Sequence, residues 1–396
     1  STFVGGGSSD EMIELIEAAA RRGVRVDILW GKSDAVDGSN ATRDACAAIN
    51  TRMRKSGLEQ FVRAHPFSTA SHAKVLVADD GKGGFVAALG SCNWLSTGFT
   101  SFEASVRTND PLLVSDIMDA LAQLAMTVTG LNGGVAAQLA GQAVNIRKSN
   151  APRPGRRADA KIVLGPEHAE CVLQARDDAH SHIVLGSHRM GRSANNLSIR
   201  PTRAAVDANG IDAALYYGRL SDGMTAEQAT ELKLAHGAKG MRIRQISDPR
   251  MHAKFIAWDD DNIVITSHNL LSADPTHDFA ELGVHIRAVG AGRALREKLV
   301  MARSSVWQEM VAMERKVSSV QLADASAGAG APQKGGAVHH KKAAPLRVTL
   351  IKLGILLAVF AAVLGIGWWN QNKSYTALVG CMAMSILIIG LWAFEV

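Results

Sequence analysis

Two stretches of the chain, 180 residues apart, share the same order of residues. "SHAKVLVADD" occupies positions 71–80 and "MHAKFIAWDD" occupies positions 251–260. Three further pairs match in the same order: "DILWGKSD" (27–34) with "ALYYGRLSD" (214–222), "LGSCNWLS" (89–96) with "ITSHNLLS" (265–272), and "SFEASVR" (101–107) with "DFAELGVHIR" (278–287). Four ordered matches indicate an internal repeat, and the chain must therefore fold into two similar units.

Each half of the chain shows alternating strand and helix patterns. In the first half, residues 8–23 carry apolar residues at helical spacing and begin with Ser8 and Glu11 at capping-box spacing, and an apolar strand follows at 24–31. In the second half, a helix is predicted around residues 167–179 and a strand at 182–187. This alternation predicts an α/β sheet in each half.

Charge and cysteine content exclude some classes of protein. The formal net charge is +6, but residues 320–396 contribute +4 of it, which leaves about +2 on the larger body. The body therefore lacks the strongly basic composition of many nucleic-acid-binding proteins. The cysteines show neither a metal-binding spacing nor a disulfide framework, which favours a reducing compartment: Cys46, Cys92, Cys171 and Cys381.

The C-terminal part of the chain is predicted to enter a membrane. Residues 353–369 and 375–394 are free of charge, and each is about long enough to cross a hydrocarbon core of ~30 Å at ~1.5 Å per residue. Basic residues precede the first apolar stretch, whereas Lys373 alone lies between the two. The positive-inside rule then places the body, residues 1–317, on the cytoplasmic side.

These patterns predict five segments. They are a first repeat at 1–130, a connecting helix and basic linker at 131–158, a second repeat at 159–317, a flexible basic tether at 318–347 and a two-helix transmembrane hairpin at 348–396. Because the chain starts without Met and "STFVGGG" is typical of a strand running into a turn, we expect the first repeat to be N-terminally truncated.

The repeated strings bring together groups that suit a phosphate. If the strings are strands, His72 and Lys74 project to one face, as do His252 and Lys254, because side chains at i and i+2 share a face. The end of the next strand adds hydrogen-bonding groups in both halves, namely Ser91, Asn93, Ser267 and Asn269. A lysine charge with several donors is the environment that phosphate oxygens require.

Two facing halves also supply both partners of a displacement at phosphorus. One histidine can attack to give a phosphohistidine, while the other gives a proton to the departing alkoxide and later recovers it from water or an alcohol. An imidazole with a pKa near 6.5 can serve in either state. No metal or other cofactor is implied by this scheme.

These motifs resemble those of the phospholipase D superfamily. "HAKVLVAD" with "GSCN" and "HAKFIAWD" with "TSHN" are similar to its HxK, x4, D and GSxN elements, present twice. The resemblance implies two tandem phospholipase D-like repeats, each a mixed β-sheet flanked by helices, with an active site at their pseudo-twofold interface.

The resemblance also implies roles for single residues. His72 would be the nucleophile and His252 the general acid and base. Phosphate would be bound by Lys74, Lys254, Asn93 and Asn269 with support from Ser91 and Ser267, and the histidines would be oriented by Glu103 and Glu281. This chain departs from the family pattern at Thr266, where Gly is usual, and we expect the side chain to narrow the approach to phosphate. It departs again in the ten residues between Asp79 and Gly90, which predict a longer hairpin turn.

Three further residues have a structural interpretation. Asp79 and Asp259, at the far ends of the apolar runs, are predicted to cap turns. His268 lies next to Asn269 on a predicted strand, and its side chain should therefore point away from the site.

The sequence thus favours a membrane-anchored phosphodiesterase or phosphatidyltransferase that acts on phospholipid, with the membrane and a phosphodiester substrate as partners. A nuclease of the same superfamily acting on DNA or RNA at the membrane is the alternative. A catalytically inactive membrane scaffold is a second one. The oligomeric state stays open.

Overall fold

The computed structural model describes residues 8–31, 41–95, 101–126, 132–150, 158–237, 240–274 and 280–301. The predicted tether and the predicted transmembrane hairpin lie outside these residues. Within the described ranges, every helix is too short or too polar to span a bilayer.

The first half contains small sheets and four helices. The elements in chain order are α1 (Ser8–Arg21), β1 (Val26–Ile28), α2 (Ala41–Lys55), β2 (Val62–Ala64), β3 (Val75–Asp79), β4 (Phe85–Gly90), β5 (Ser105–Thr108), α3 (Pro111–Met126) and α4 (Gly133–Ser149). Strands β1 and β2 pair in parallel. Strands β3, β4 and β5 form an antiparallel sheet in that order.

The second half is built on one sheet of seven strands. Its elements are β6 (Ala158–Leu164), α5 (Glu167–Asp178), β7 (His182–Met190), a π-helical turn (Asn195–Ile199), α6 (Arg200–Asn209), β8 (Asp212–Leu220), α7 (Ala226–Gly237), β9 (Met241–Gln245), β10 (Phe255–Trp258), β11 (Asn262–Thr266), β12 (Leu282–Ala288) and α8 (Ala291–Met301). The strand order is β6-β12-β11-β10-β7-β8-β9. Strands β7, β8 and β9 are parallel and the other pairs are antiparallel, so the sheet is mixed.

The two halves follow one order of elements, in agreement with the predicted α/β class. From α1 to α3 the first half runs helix, strand, helix, strand, three antiparallel strands and helix, and the second half repeats this order from α6 to α8. The prediction of a mixed sheet is met in the second half only. There β7 bonds to both β8 and β10 and joins the parallel and antiparallel strands. Among the described residues of the first half, β1–β2 and β3–β5 are separate sheets.

The helices pack because their apolar residues recur at helical spacing. In α1, Met12, Ile16 and Ala19 are buried beside Val26 of β1 and form one core with part of α2. A larger core lies on one face of the seven-stranded sheet. The three described cysteines are free thiols in these interiors, namely Cys46, Cys92 and Cys171.

Two glycines allow close approach of the segments that carry the repeated motifs. A Cβ at Gly31 would lie 1.4 Å from the carbonyl oxygen of Ser71, and one at Gly218 would lie 2.1 Å from that of Met251. Both contacts are impossible for a side chain. Glycine at these two equivalent positions therefore permits the chain to pass directly in front of β1 and β8 just before each histidine.

Candidate functional site

The two repeats exchange their histidines and glutamates. His72 of the first repeat places Nδ1 3.1 Å from Oε1 of Glu281 in the second. His252 of the second repeat places Nδ1 2.6 Å from Oε1 of Glu103 in the first, although its N–H is not aligned with that oxygen. Both carboxylates are almost fully buried. When Nδ1 is held by a carboxylate, Nε2 of the same ring is left to face a substrate.

Backbone hydrogen bonds fix this exchange with approximate twofold symmetry. The amide of His72 donates to the carbonyl of Ala280, and the amide of His252 donates to the carbonyl of Phe102, both at 2.9 Å. Isolated parallel bridges join Ser71 to Ala280 and Met251 to Phe102. The segment before each Glu therefore pairs with the segment before each His, and the main chain itself sets the distance between the two side chains.

The histidines and lysines lie just before the strands rather than within them. The strands begin at Val75 and Phe255, one residue after each lysine. Lys74 Nζ donates to the carbonyl of His72 at 2.7 Å, and Lys254 Nζ donates to that of His252 at 2.8 Å. Each ammonium is thus folded back toward its own histidine, and the pairing that the i, i+2 spacing predicts is present without strand geometry.

The two serines, predicted to support phosphate binding, contact the glutamates. Ser91 Oγ donates to Glu103 Oε2 and Ser267 Oγ donates to Glu281 Oε2, both at 2.5 Å. Both hydroxyls are fully buried and also accept a backbone N–H. Since the hydroxyl hydrogen is already committed to a carboxylate, the serines orient the glutamates that in turn hold the histidines.

Burial gives the two lysines unusual acidity. Burial, with the charge of the other lysine, lowers the pKa of Lys74 to about 7. Burial likewise lowers the pKa of Lys254 to about 8, although Glu103 and Glu281 oppose the shift. Two ammonium groups so close together repel each other, and an anion placed between them would relieve that repulsion.

The histidines are uncharged at neutral pH in this arrangement. Burial, followed by the charge of Lys74, lowers the pKa of His72 to about 3. Burial and the charge of Lys254 lower that of His252 to about 4. Burial disfavours the charged form of Glu281, but the charge of His72 and its hydrogen bond outweigh this and lower the pKa of the carboxyl. The Nε2 atoms of both rings therefore carry lone pairs at pH 7.

The two asparagines have polar atoms without a partner. Oδ1 of Asn93 and Oδ1 of Asn269 are buried and make no hydrogen bond within the described residues. A buried polar atom without a partner is costly, and such atoms often mark a ligand site. Rotation of the amide can also present Nδ2 as a donor to a phosphate oxygen.

Both aspartates of the motifs lie at strand ends and accept main-chain N–H groups, Asp79 as the last residue of β3 and Asp259 just after β10. Asp79 accepts the N–H of Gly81 at 3.0 Å at the start of the β3–β4 hairpin. Asp259 accepts the N–H and the hydroxyl of Ser181 at 2.8 and 2.7 Å, together with the N–H of His180. Asp259 thereby ties the end of β10 to the start of β7.

Thr266 and His268 form a buried arrangement that the sequence did not predict. Thr266 is buried, and its hydroxyl lies 2.6 Å from Nε2 of His168, so it does not narrow the approach to phosphate. The ring of His268 contacts that of His168 in a tilted arrangement, with centroids 5.0 Å apart. Its Nδ1 lies 4.0 Å from Oε1 of Glu281. The prediction that His268 points away from the site is therefore only half right: it faces the carboxylate behind His72.

His188 is a further residue that the repeat did not indicate. It lies at the carboxyl end of β7, and its ring contacts that of His252 in a tilted arrangement with centroids 4.3 Å apart. Burial, with the charges of His252 and Lys254, lowers the pKa of His188 to about 2. The signal in the sequence was the polar pair His188 and Arg189 at the end of the apolar run 182–187.

The described ranges contain no group of three or more His, Cys, Asp or Glu side chains that could hold a metal ion. What these ranges do provide is two neutral imidazoles, two buried lysines and two asparagine amides.

The first repeat matches a known family. Residues 1–125 match the family described as "Cardiolipin synthase, PLD-like domain". No curated protein sequence matches the chain.

Several solved structures show weaker similarity. Nuc from Salmonella typhimurium, a phospholipase D family member, is 21% identical, with 35% of this chain and 90% of Nuc covered and a TM-score of 0.29. Phosphatidylserine synthase from Haemophilus influenzae is 13% identical, with 73% and 81% covered and a TM-score of 0.46. Polyphosphate kinase from Porphyromonas gingivalis is 15% identical, with 77% of this chain but only 45% of the kinase covered and a TM-score of 0.46.

The family match and the doubled motif both indicate the same superfamily. The matched residues contain the first His-Ala-Lys string and the Asn93 string, and the second repeat carries the equivalent residues in the same order. The resemblance of this chain to the phospholipase D superfamily is therefore confirmed, and its residues 1–125 carry a phospholipase D-like domain.

Proposed function

We propose that this chain is a phosphodiesterase or phosphatidyltransferase that acts on phospholipid through a covalent phosphohistidine and without a metal. The observation that carries the proposal is the reciprocal pairing of His72 with Glu281 and of His252 with Glu103. Each imidazole is held from behind by a buried carboxylate, and each Nε2 is free to act. Two such imidazoles, one on each side of a phosphate, are what an in-line displacement requires.

The first step forms a bond between Nε2 of His72 and phosphorus. The bond from phosphorus to the departing alkoxide breaks, and its electron pair stays on that oxygen. His252 transfers its Nε2 proton to the alkoxide, so that an alcohol leaves and His252 becomes neutral. Lys74 and Lys254 offset the charge on the non-bridging oxygens throughout.

The second step is the reverse of the first, with water or an acceptor alcohol in place of the alcohol that left. His252 removes a proton from water or from an acceptor alcohol, whose oxygen then attacks phosphorus. The bond between phosphorus and Nε2 of His72 breaks, and the electron pair returns to the ring. Water gives hydrolysis, and an alcohol gives transfer, so the same residues serve both reactions.

Substrate binding solves a problem of protonation in this scheme. His252 must be protonated to act as an acid, yet the charge of Lys254 and burial keep its pKa near 4 in the free site. A phosphodiester anion between the lysines offsets their charge and raises the pKa of the histidine. His252 therefore gains its proton as the substrate binds. His72, whose pKa in the free site is the lower of the two, stays neutral and attacks phosphorus with the lone pair of Nε2.

Phospholipid is the proposed substrate for two reasons. The family that matches the first repeat is described as "Cardiolipin synthase, PLD-like domain". The apolar segments at 353–369 and 375–394 would in addition anchor the body at the cytoplasmic face of a membrane, within reach of lipid headgroups.

The experiment that tests this proposal measures turnover by the full chain in detergent, with EDTA present. Labelled phosphatidylglycerol vesicles and single- and double-stranded DNA are offered in parallel. Release or transfer of the headgroup supports the lipid enzyme. Cleavage of DNA with intact vesicles would instead assign the nuclease function, and failure on every substrate would favour the inactive scaffold.

Replacement of the orienting carboxylate tests the role of Glu281. We expect Glu281→Gln to lower kcat on the order of 100-fold, because an amide neither stabilises a charged imidazole nor fixes its tautomer. Its shape is unchanged, so the fold should persist. The measurement is kcat together with the melting temperature.

The matched control is Glu17→Gln. Glu17 pairs with Arg52 at 2.7 Å on helices α1 and α2, away from the histidines. Full kcat is expected in this variant. Wild-type kcat in Glu281→Gln would show that the carboxylate has no orienting role.

The acidity of the lysines predicts how anion binding depends on pH. Because the pKa values of Lys74 and Lys254 are lowered to about 7 and about 8, the site loses positive charge as pH rises through this range. Sulfate does not titrate there, and we expect its affinity to fall about tenfold or more between pH 6 and pH 9. Calorimetric titration at constant ionic strength measures this. In Lys74→Met the dependence should weaken, and a flat profile in the wild type would refute the assignment.

A further inference from the structure

Three arginines lie beside the histidine of the second repeat. Arg189 is near the end of β7, Arg219 is near the end of β8, and Arg250 precedes His252 by two residues. Strands β10, β7 and β8 are neighbours in the sheet. We call Arg189, Arg219 and Arg250 the arginine cluster.

Two of these arginines face each other in register. Arg189 and Arg219 are direct partners in the parallel pairing of β7 with β8. Like charges on adjacent strand positions repel. Burial and the neighbouring charges of Arg189 and Arg250 lower the pKa of Arg219. Among the described residues no carboxylate forms an ion pair with any member of the cluster. Within the described residues, no carboxylate therefore offsets these charges, and the cluster is open to an anion from solvent.

The contact between two histidines connects the cluster to the reaction centre. The His188 ring lies 4.3 Å from that of His252 between centroids, with the two planes tilted by 55°, and Arg189 is the next residue. The charge of Arg189 also acts on Lys254. With strands about 4.8 Å apart, β7 and β8 lie roughly 5 and 10 Å beyond the strand of His252. The cluster therefore lies outward from the scissile phosphate, on the side of His252.

The first repeat lacks an arginine at the equivalent position. The carbonyl of Arg250 accepts the N–H of Phe102, and the carbonyl of Ala70 accepts the N–H of Ala280 in the symmetric contact. Ala70 thus stands where the second repeat has Arg250. The twofold symmetry is therefore broken at this position, and the second repeat alone has an arginine there.

We propose that the arginine cluster is a subsite for a second phosphate group, carried by the alcohol that leaves or accepts on the His252 side. This proposal rests on the proposed function, in which His72 attacks and the alcohol departs toward His252. Two phosphates joined through a three-carbon unit lie roughly 6 Å or more apart, given bonds of about 1.5 Å. Guanidinium groups are also the preferred partners of phosphate, which they bind in a bidentate manner.

The first test measures binding and does not depend on turnover. Inorganic phosphate is titrated calorimetrically into the full chain in detergent at low ionic strength. We expect two phosphates per wild-type chain and one in the double variant Arg189→Gln/Arg219→Gln. The control Arg287→Gln, exposed at the far end of β12, should still bind two. Equal stoichiometry in the wild type and the double variant would overturn the proposal.

The second test identifies the source of the phosphate. Phosphatidylglycerol is compared with its headgroup-phosphorylated form, and the dinucleotide dTpT with the same dinucleotide carrying a 3′-phosphate. In one of the two pairs we expect the second phosphate to raise kcat/KM about tenfold or more, since each charge-assisted contact is worth about 1.4 kcal/mol or more. Arg250→Gln and the double variant should reduce that preference and leave the plain substrate unchanged.

The outcomes separate this proposal from the proposed function. An equal loss on both members of a pair, or no preference in either pair, would reject the subsite. If no substrate in either pair is turned over, the proposed function fails while the phosphate stoichiometry still decides whether the cluster binds an anion.

Discussion

His72→Ala is expected to reduce kcat/KM by about 10⁴-fold or more on every substrate the wild type accepts. The residue supplies the atom that bonds to phosphorus, and its Nδ1 lies within hydrogen-bond distance of the buried Glu281 carboxylate. A substrate with a good leaving group should not rescue the variant, because the missing step is bond formation. The measurement is steady-state turnover combined with acid or base quenching to detect phosphohistidine.

The control for this variant is His182→Ala. His182 lies at the opposite end of β7 and bonds to the carbonyl of Asp259, so its loss removes an imidazole without touching the site. We expect it to retain turnover and the covalent intermediate. If His72→Ala still formed a phosphohistidine, the nucleophile would be His252 and the two roles would be exchanged.

His252→Ala is expected to show a loss that depends on the leaving group. With an alkyl leaving group, turnover should fall by roughly 10²- to 10⁴-fold, because no acid protonates the alkoxide. A p-nitrophenyl ester needs no such proton, so its first step should remain fast. The second step lacks a base, and the phosphohistidine should therefore accumulate.

Rapid mixing of His252→Ala with the p-nitrophenyl ester measures this directly. The expected trace is a burst of about one p-nitrophenolate per active site followed by slow release. In the wild type the burst should be smaller relative to the steady rate. Equal losses with both leaving groups and no burst would show that His252 is not the general acid.

The doubled motif predicted a large part of the candidate site. The strings repeat in the same order in both halves, which identifies His72, Lys74 and Asn93 and their counterparts. Similar sequences at equivalent positions of a repeat adopt similar local structure. It also predicted that Asp259 would lie in a turn. These are properties of short segments, and a sequence displays them directly.

Properties that depend on contact between distant segments were not predictable. Nothing in the sequence shows that Glu103 lies behind the histidine of the other repeat, since that pairing depends on how the halves pack. The contact of Ser91 was not predicted for the same reason: its hydroxyl donates to the carboxylate of Glu103, twelve residues away. The contact between the rings of His188 and His252 likewise requires β7 and β10 to be neighbours. Only the order of strands in the sheet shows that they are.

The fold was predicted at the level of class and of internal duplication. Alternating strands and helices were clear because buried strands and amphipathic helices have different apolar spacing. The number of sheets was not predictable, because the hydrogen bonding between strands depends on the order of the strands in space. β7 unites the strands of the second half through pairing with β8 and β10, which no local pattern announces.

The exchange of histidine and glutamate between repeats has a consequence for how activity is lost. Neither half retains an oriented imidazole without the other, so separation of the halves disarms both histidines in a single event. A gradual titration of denaturant should accordingly give no partly competent species: activity should disappear at the opening of the interface, ahead of the melting of either core. Duplication here has produced two copies that are individually incomplete, and selection on one copy must constrain the other.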